Sequence, residues 1–305
     1  MIMKKVILVI VLTSYAWFTN AQQDPLLSQY QFNQLPINPA YTGVNDMTSF
    51  DLHYRSQWGG VAGAPTTITF SGNSSLFENK VGLGLSLVHD ETGVTKNTNF
   101  NLAYAYELDL SNDMTLSFGL QTGILSLRYN FGELTLDDPT DEDFTNADDG
   151  LTKLNFGTGL FISNEKYYLG VSVPRLLKAT EGIGENIGER YNRHYYFTGG
   201  LIIDKSQSVK LKPFAVLRLA EDSPLSTDIG ISVLLADVIW AGVFTRNFNV
   251  YGISAFLNLN NGFRLGYTGE LTSNDSPAST FSTHEVSVGI DLELFANQAV
   301  ARRYY

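Results

Sequence analysis

The stretch "HEVSVGIDLELF", residues 284–295, alternates between apolar and polar or small residues from Glu285 to Leu294. Its apolar positions are Val286, Val288, Ile290, Leu292 and Leu294, and the positions between them carry only Ser, Gly, Asp and Glu. A period of two is the period of a β-strand, whose successive side chains point to opposite faces of the sheet. The stretch therefore predicts a strand that separates an apolar from a polar environment.

The same period recurs along the chain in segments of about the length that crosses a bilayer at a tilt. We predict strands at residues 48–57, 65–72, 80–89, 98–108, 114–129, 151–162, 166–173, 193–203, 208–218, 227–235, 237–246, 250–258, 261–269 and 282–295. Their polar faces are rich in Gly, Ser and Asn. Glycine weakens an ordinary strand interior, but small residues suit a crowded, polar barrel lumen.

Alternation alone would also fit a soluble β-sandwich. The lengths of the connections between the strands distinguish a sandwich from a membrane barrel. Connections after even-numbered strands are mostly tight, such as "SNEK" at 163–166 and "DKSQ" at 204–207. Connections after odd-numbered strands are mostly long, such as 130–150 and 174–192, with one short exception near 246–249. Outer-membrane barrels have short periplasmic turns and longer extracellular loops.

We therefore predict an all-β chain that forms a transmembrane antiparallel β-barrel of the outer-membrane type. The barrel would occupy residues 47–295 and a short C-terminal tail residues 296–305. The barrel would lie in the outer membrane, with its long loops at the cell surface.

Charged side chains fall on the polar face of the predicted strands. An arginine facing lipid at mid-bilayer would cost about 2–4 kcal/mol, which gives this placement a physical cause. The predicted lumen charges are Asp51, Glu107, Arg218, Asp228, Arg264, Asp291 and Glu293. Similar depth on adjacent strands predicts ion pairs of Arg264 with Asp291 or Glu293, and of Arg218 with Asp228, with separate hydration as the alternative. The apolar faces carry aromatic residues suited to membrane interfaces, among them Trp240 and Phe244.

Residues 1–21 have the pattern of a secretory signal peptide. Lys4 and Lys5 precede an apolar run at 6–12, and a small-residue cleavage site precedes Gln22, the expected mature start. Removing this peptide takes away two lysines and no acid, so the formal net charge of −11 becomes −11 − 2 = −13. Such a charge argues against a nucleic-acid partner, and the lack of cysteine means that no disulfide framework is expected.

Residues 22–46 fit neither a helix nor an inner strand, because Pro36 and Pro39 interrupt them. The backbone groups of such a segment still need partners, and a polar lumen offers them. We predict that the segment folds against or into the periplasmic mouth as a plug or partner-docking element. The alternative is a disordered terminus, which would have little use for so many aromatic residues.

We predict no catalytic, cofactor-binding or metal-binding residues. The acidic stretch at 133–150 lacks the glycine that an EF-hand calcium loop requires, which favours a solvated loop. His53, His89, His194 and His284 show no metal-ligand spacing, and no Ser/His/Asp order stands out.

Two N-terminal blocks carry a family resemblance. "QDPLLSQYQFNQLPINPAYTG" at 23–43, followed by "HYRSQWGGVAGAPTTITFSG" at 53–72, resembles the N-terminal signature of PorP/SprF-type outer-membrane proteins of Bacteroidota. "GLGLSLVHDETG" at 82–93 and "STHEVSVGIDLELF" at 282–295 are similar to the family's next block and closing strand. The resemblance covers essentially the whole mature chain.

The resemblance implies a role in the type IX secretion system and the gliding machinery linked to it. It implies a non-enzymatic barrel that binds or anchors a secreted cargo or adhesin protein at the cell surface, through the C-terminal domain of that cargo. Other implied partners are the periplasmic ring of the secretion apparatus, peptidoglycan-linked components and outer-membrane lipid. The positions that match the signature make Gln29, Phe32, Asn38, Pro39, Tyr41, Arg55 and Trp58 candidate plug or docking residues.

Two other functions share this architecture, because a fold alone does not define a function. One is a diffusion porin or hydrophobic-solute channel, which would conduct as purified. The other is a barrel enzyme such as a lipase, which would react with a serine-directed probe. The N-terminal block favours the anchoring barrel, since a porin has no evident use for it.

Overall fold

The computed structural model describes residues 27–111, 114–130, 150–183, 186–221, 223–259, 261–273, 281–296 and 298. The strands are β1 Thr48–Ser56, β2 Thr66–Leu76, β3 Val81–Thr92, β4 Thr95–Ser111, β5 Met114–Tyr129, β6 Gly150–Ser163, β7 Tyr167–Val173, β8 Ala179–Ile183, β9 Asn186–Tyr191, β10 His194–Leu201, β11 Ile203–Ser206, β12 Val209–Ala220, β13 Ser226–Leu235, β14 Ile239–Arg246, β15 Val250–Asn258, β16 Phe263–Thr272 and β17 Ser282–Leu292. Among the described residues no helix is long and apolar enough to span a membrane.

Fourteen of these strands form one closed antiparallel barrel, as predicted. The strands β1 to β7 lie side by side in chain order, followed by β10 and then by β12 to β17. Pairing of β17 with β1 closes the ring. Closure gives the backbone N–H and C=O groups of every barrel strand a neighbouring strand to pair with, which a sheet in lipid requires. The strand β11 pairs with β12 just beyond β10, and β8 pairs only with β9 in a separate hairpin that the sequence did not predict.

The two faces of the barrel differ as the alternation of apolar and polar residues predicts. Apolar side chains such as Leu52, Tyr104 and Ile253 point outward and are exposed. The side chains between them point inward and are mostly Ser, Thr, Asn, Gln, Gly and charged residues. An exposed apolar belt around a closed barrel is the lipid-facing surface of an outer-membrane protein.

The two ends of the barrel also differ. The short-turn end carries the connections 77–80, 112–113, 164–166, 207–208, 236–238 and 259–262. The long-loop end carries 57–65, 93–94, 130–149, 174–193, 221–225, 247–249 and 273–281. The predicted strands 80–89 and 98–108 left a connection of residues 90–97, which is too long. In the structure β3 and β4 extend the ladder as far as the pair Thr92 and Thr95. By the usual asymmetry of these barrels, the short-turn end faces the periplasm.

The predicted outward position of Trp240 and Phe244 is wrong. Both side chains are buried on the inner face of β14, where Trp240 packs against Phe32 with ring centroids 5.8 Å apart. Their aromatic character suggested that they face lipid. Arg246, however, lies on the same face of β14 as Trp240 and Phe244, and a charged side chain is more stable in the lumen than in lipid. The charged residue, rather than the aromatic ones, decides which face of β14 points inward.

The chain after β17 folds back onto the start of the barrel. The amide of Gln298 donates hydrogen bonds to Ser74 Oγ at 3.0 Å and to the Ser75 carbonyl at 2.7 Å. Its Oε1 accepts from the backbone N–H of Leu294 at 2.9 Å. Residues 297 and 299–305 of the predicted tail lie outside the described residues.

Candidate functional site

The inside of the barrel is occupied by Leu27–Met47, here called the N-terminal segment, which is buried almost throughout. Two single 3-10 turns, Gln29–Gln31 and Pro39–Tyr41, shape it. The Asn38 side chain caps the second turn by accepting a hydrogen bond from the Ala40 N–H at 3.0 Å. The local turns satisfy only some of the backbone groups, so the rest depend on the barrel wall.

The N-terminal segment extends from one end of the barrel toward the other. Met47 leads directly into β1 at the short-turn end. The hydroxyl of Ser28 accepts a hydrogen bond at 2.7 Å from Arg55, which lies near the opposite end of β1. The segment therefore reaches well beyond the periplasmic mouth at which the sequence places it. Residues 22–26 of the predicted plug lie outside the described residues.

Amide side chains of the segment bind inward-facing groups of strands all around the ring. Asn33 donates to Ser71 Oγ of β2 at 2.6 Å, and Asn38 donates to the Leu160 carbonyl of β6 at 3.1 Å. The further contacts are Thr198 Oγ1 to Gln34 Oε1 at 2.8 Å and Ser232 Oγ to Gln31 Oε1 at 2.9 Å. This explains why the segment is rich in uncharged amides, which can donate and accept hydrogen bonds without burying a charge.

Glycines on the inner face leave room for the backbone of the segment. A Cβ at Gly82 would lie 2.0 Å from the Thr42 carbonyl oxygen, and one at Gly119 would lie 2.1 Å from the Ala40 nitrogen. Real Cβ atoms do not approach other atoms so closely, so an added methyl would force the backbone apart. The glycines that the sequence showed on the polar strand faces are here explained by close approach.

Substituting Gly119→Ala should destabilise the protein by about 1–3 kcal/mol, because the new methyl overpacks the segment at Ala40. Urea unfolding in lipid vesicles measures this, and limited proteolysis should show earlier cleavage within the N-terminal segment. The matched control is Gly269→Ala, whose Cβ would meet only the end of the Tyr267 side chain, at 3.2 Å. Equal behaviour of the two variants would show that the segment does not lie against β5.

Apolar pockets hold the side chains of the segment. Phe32 lies between Trp240 and Phe256, with ring centroids at 5.8 and 3.8 Å. Tyr41 packs edge-on against Phe161 at 5.7 Å. The ammonium of Lys212, which is fully buried, donates to the Gln31 carbonyl at 2.7 Å and lies 4.8 Å from the Phe32 ring centroid. Lys212 therefore joins β12 to the segment by a hydrogen bond and a cation–π contact.

A buried ionic network joins the start of the segment to the barrel wall. Arg55 binds Glu270 at 2.6 Å and Glu285 at 3.2 Å. The backbone N–H of Ser28 donates to Glu285 at 2.8 Å, and the Ser28 hydroxyl donates to Glu270. Arg246 continues the network, since it lies 3.6 Å from Glu270. Buried charges are tolerated when paired and hydrogen-bonded in this way.

The sequence-predicted lumen charges lie at several levels of the barrel. Arg264 binds Asp51 at 2.8 Å and Asp291 at 3.0 Å, and Asp228 binds Arg246 at 2.8 Å. The remaining positions follow: Arg218 is buried opposite Ser226, Glu107 is buried near the short-turn end, and Glu293 is exposed just after β17.

The candidate docking residues do not form one surface. Gln29, Phe32, Asn38, Pro39 and Tyr41 are buried within the N-terminal segment, and Arg55 is buried beside its start. Trp58 is instead 37% exposed in the loop after β1, at the long-loop end.

Sequence reasoning missed Arg246, Glu270 and Glu285 of the ionic network. Glu285 has the parity of Ser287 and Asp291 on β17, so the alternation places it inside, but nothing local links it to Arg55. The pairing of β1 with β17 brings Arg55 opposite Glu285. Among the described residues, no group of three or more His, Cys, Asp or Glu side chains could hold a metal ion. The acidic stretch considered for calcium, residues 133–150, lies outside the described residues apart from Gly150.

Comparison with known proteins shows which family the sequence matches. The family model for the type IX secretion system membrane protein PorP/SprF matches residues 19–290. No curated protein sequence matches the chain.

Solved structures show the same architecture at low sequence identity. The P. putida toluene transporter TodX has a TM-score of 0.50 and 9% identity, with 86% of this chain and 95% of TodX covered. The CymD monoaromatic hydrocarbon channel also has a TM-score of 0.50 and 9% identity, with 85% of this chain and 91% of CymD covered. A Pseudomonas aeruginosa FadL homologue has a TM-score of 0.46 and 10% identity, with 89% and 95% covered. At such identities the likeness to TodX and CymD shows the fold alone.

Proposed function

The chain belongs to the PorP/SprF family of type IX secretion system membrane proteins, and from this premise we propose a specific role for its barrel. It is a non-enzymatic, plugged outer-membrane barrel that anchors an exported cargo protein at the cell surface. The contact with the cargo is made at the long-loop end, through the C-terminal domain of the cargo. The family and the fold are those of secretion and channel proteins, which supports a role without catalysis.

The observation that carries this proposal is the filled lumen. The N-terminal segment is held by amide contacts to β2, β6, β10 and β13 and by the Arg55 network. A diffusion porin or solute channel needs a continuous path, which this segment obstructs. The proposed plug role of Leu27–Met47 therefore favours an anchor over the channel function that the same fold serves in other proteins.

The long-loop end offers apolar side chains suited to a protein partner. Trp58 is 37% exposed and Phe248 is 67% exposed, each in a loop at this end. Large aromatic side chains are the residues that most often dominate binding energy at protein interfaces. The proposed cargo surface therefore includes Trp58 and Phe248.

Retention of exported protein on intact cells tests this proposal. Replacing Trp58 and Phe248 together by Ala should weaken retention by roughly tenfold or more, since each is expected to contribute more than about 1 kcal/mol. The readout is mass spectrometry of proteins that stay bound to the barrel in native outer membranes, and of those released to the medium. Phe77→Ala, at an exposed aromatic of the short-turn end, is the control. Unchanged retention in the double variant would contradict the proposed surface.

A further inference from the structure

A cavity of about 780 Å³ opens at the short-turn end, beneath the N-terminal segment. Its wall is made by the turns 77–80 and 164–166, by the ends of β4, β5 and β6, and by Val44 and Asp46 of the segment. A volume in the range of about 300–1,000 Å³ is typical of sites that enclose a small ligand or a side chain.

The cavity is strongly acidic. Its charged lining residues are Asp46, Glu78, Glu107, Asp109, Glu165 and Lys80. The single lysine of this lining is engaged by Asp109, and that hydrogen bond raises the pKa of Lys80. Four carboxylates remain beside this pair, so the cavity attracts positive charge.

One of these carboxyl groups has a buried oxygen without a hydrogen-bond donor among the described residues. Glu107 is only 5% exposed, and its Oε1 accepts no hydrogen bond within the described part of the chain. A buried carboxylate without a hydrogen bond is costly, and most of the buried acids deeper in this barrel are paired with arginine. Glu107 lines the cavity, so a donor to this oxygen would have to arrive from there.

We propose that this cavity binds an organic cation, an ammonium or guanidinium group that enters from the periplasmic side and pairs with Glu107. The described acidic residues do not converge as a metal site would require, which favours an extended cation over a metal ion. The group belongs either to a free polyamine or to a basic side chain of a periplasmic protein. The site is independent of cargo anchoring at the other end of the barrel.

The test is calorimetric titration of the purified full-length protein in detergent, at low and at physiological ionic strength. The probes are spermidine, for a free polyamine, and the peptide acetyl-Gly-Lys-Gly-amide, for a protein side chain. We expect the wild type to bind at least one probe, and Glu107→Gln to weaken that binding by about tenfold or more. The probe that depends more strongly on Glu107 identifies the source of the cation.

Two further variants make the result specific. Glu91→Gln changes the same charge at the long-loop end, where Glu91 pairs with Lys96 at 3.0 Å, and should leave binding unchanged. Asp109→Asn releases Lys80 at the rim and should weaken binding by a smaller factor, even if the Glu107 variant fails to fold. The proposal is overturned if neither probe binds the wild type at millimolar concentration, or if the Glu107→Gln and Asp109→Asn proteins bind as the wild type does.

Discussion

Deleting residues 27–43 should convert a silent barrel into a conducting one. Fourteen strands enclose a wider interior than the eight-stranded barrels whose lumens are filled by wall side chains alone. The wall here faces inward with Gly, Ser, Thr and Asn, which cannot fill that space once the segment is gone. We expect discrete current steps in planar bilayers from the deletion protein and none from the wild type.

A less drastic variant guards against loss of folding. Phe32→Ala with Lys212→Met removes the ring between Trp240 and Phe256 and the cation that binds the Gln31 carbonyl. This protein should show brief, flickering openings, because the segment is loosened but still tethered at Met47. The matched control is Phe263→Ala, which removes an outward-facing ring and should stay silent. Wild-type protein that conducts like the deletion protein would refute a plugged lumen.

Arg55→Met should destabilise the barrel by about 3–5 kcal/mol, because it leaves Glu285 buried without its arginine and Glu270 with only the more distant Arg246 at 3.6 Å. Urea unfolding in lipid vesicles gives the measurement. The control is Lys96→Met, which breaks the partly exposed Glu91–Lys96 pair and should cost no more than about 1 kcal/mol.

A triple variant distinguishes the loss of the Arg55 ion pairs from the cost of burying carboxylates that have lost this arginine. Adding Glu270→Gln and Glu285→Gln to Arg55→Met removes the two carboxylates that Arg55 binds and should recover most of the stability. If Arg55→Met were no worse than Lys96→Met, Arg55 would not be a buried link between the wall and the N-terminal segment.

The barrel itself follows from local sequence, because alternation is a property of neighbouring residues. The segments 114–129 and 250–258 were predicted with the bounds of β5 and β15. Errors arose where residue chemistry was ambiguous, as for Trp240, which suits both a membrane interface and an apolar lumen pocket. The two-residue connection at 93–94 was missed because a polar strand end resembles a loop.

The interior of the barrel could be predicted only in part. Two prolines and many amides showed that the N-terminal segment needed partners, but not which strands would supply them. Those partners lie far away in sequence, as when Asn38 meets Leu160 and Ser28 meets Glu285. Such contacts depend on ring closure and strand register, which set the height of each inward side chain along the barrel axis. Neither can be read from the residues next to it in the sequence.

An engineered disulfide tests most directly whether the N-terminal segment lies inside the barrel. Asn38 Oδ1 lies 2.1 Å from the position of a Cβ on Gly159, so cysteines at these two sites should approach within disulfide range. The chain has no other cysteine, which makes the product unambiguous. Asn38→Cys with Gly269→Cys, on the outer face of β16, is the control.

We predict rapid, near-complete oxidation of the 38/159 pair, seen as a reducible change in the gel mobility of the denatured protein, and none for the 38/269 pair. A 38/159 protein that stays reduced under the same conditions would contradict the account.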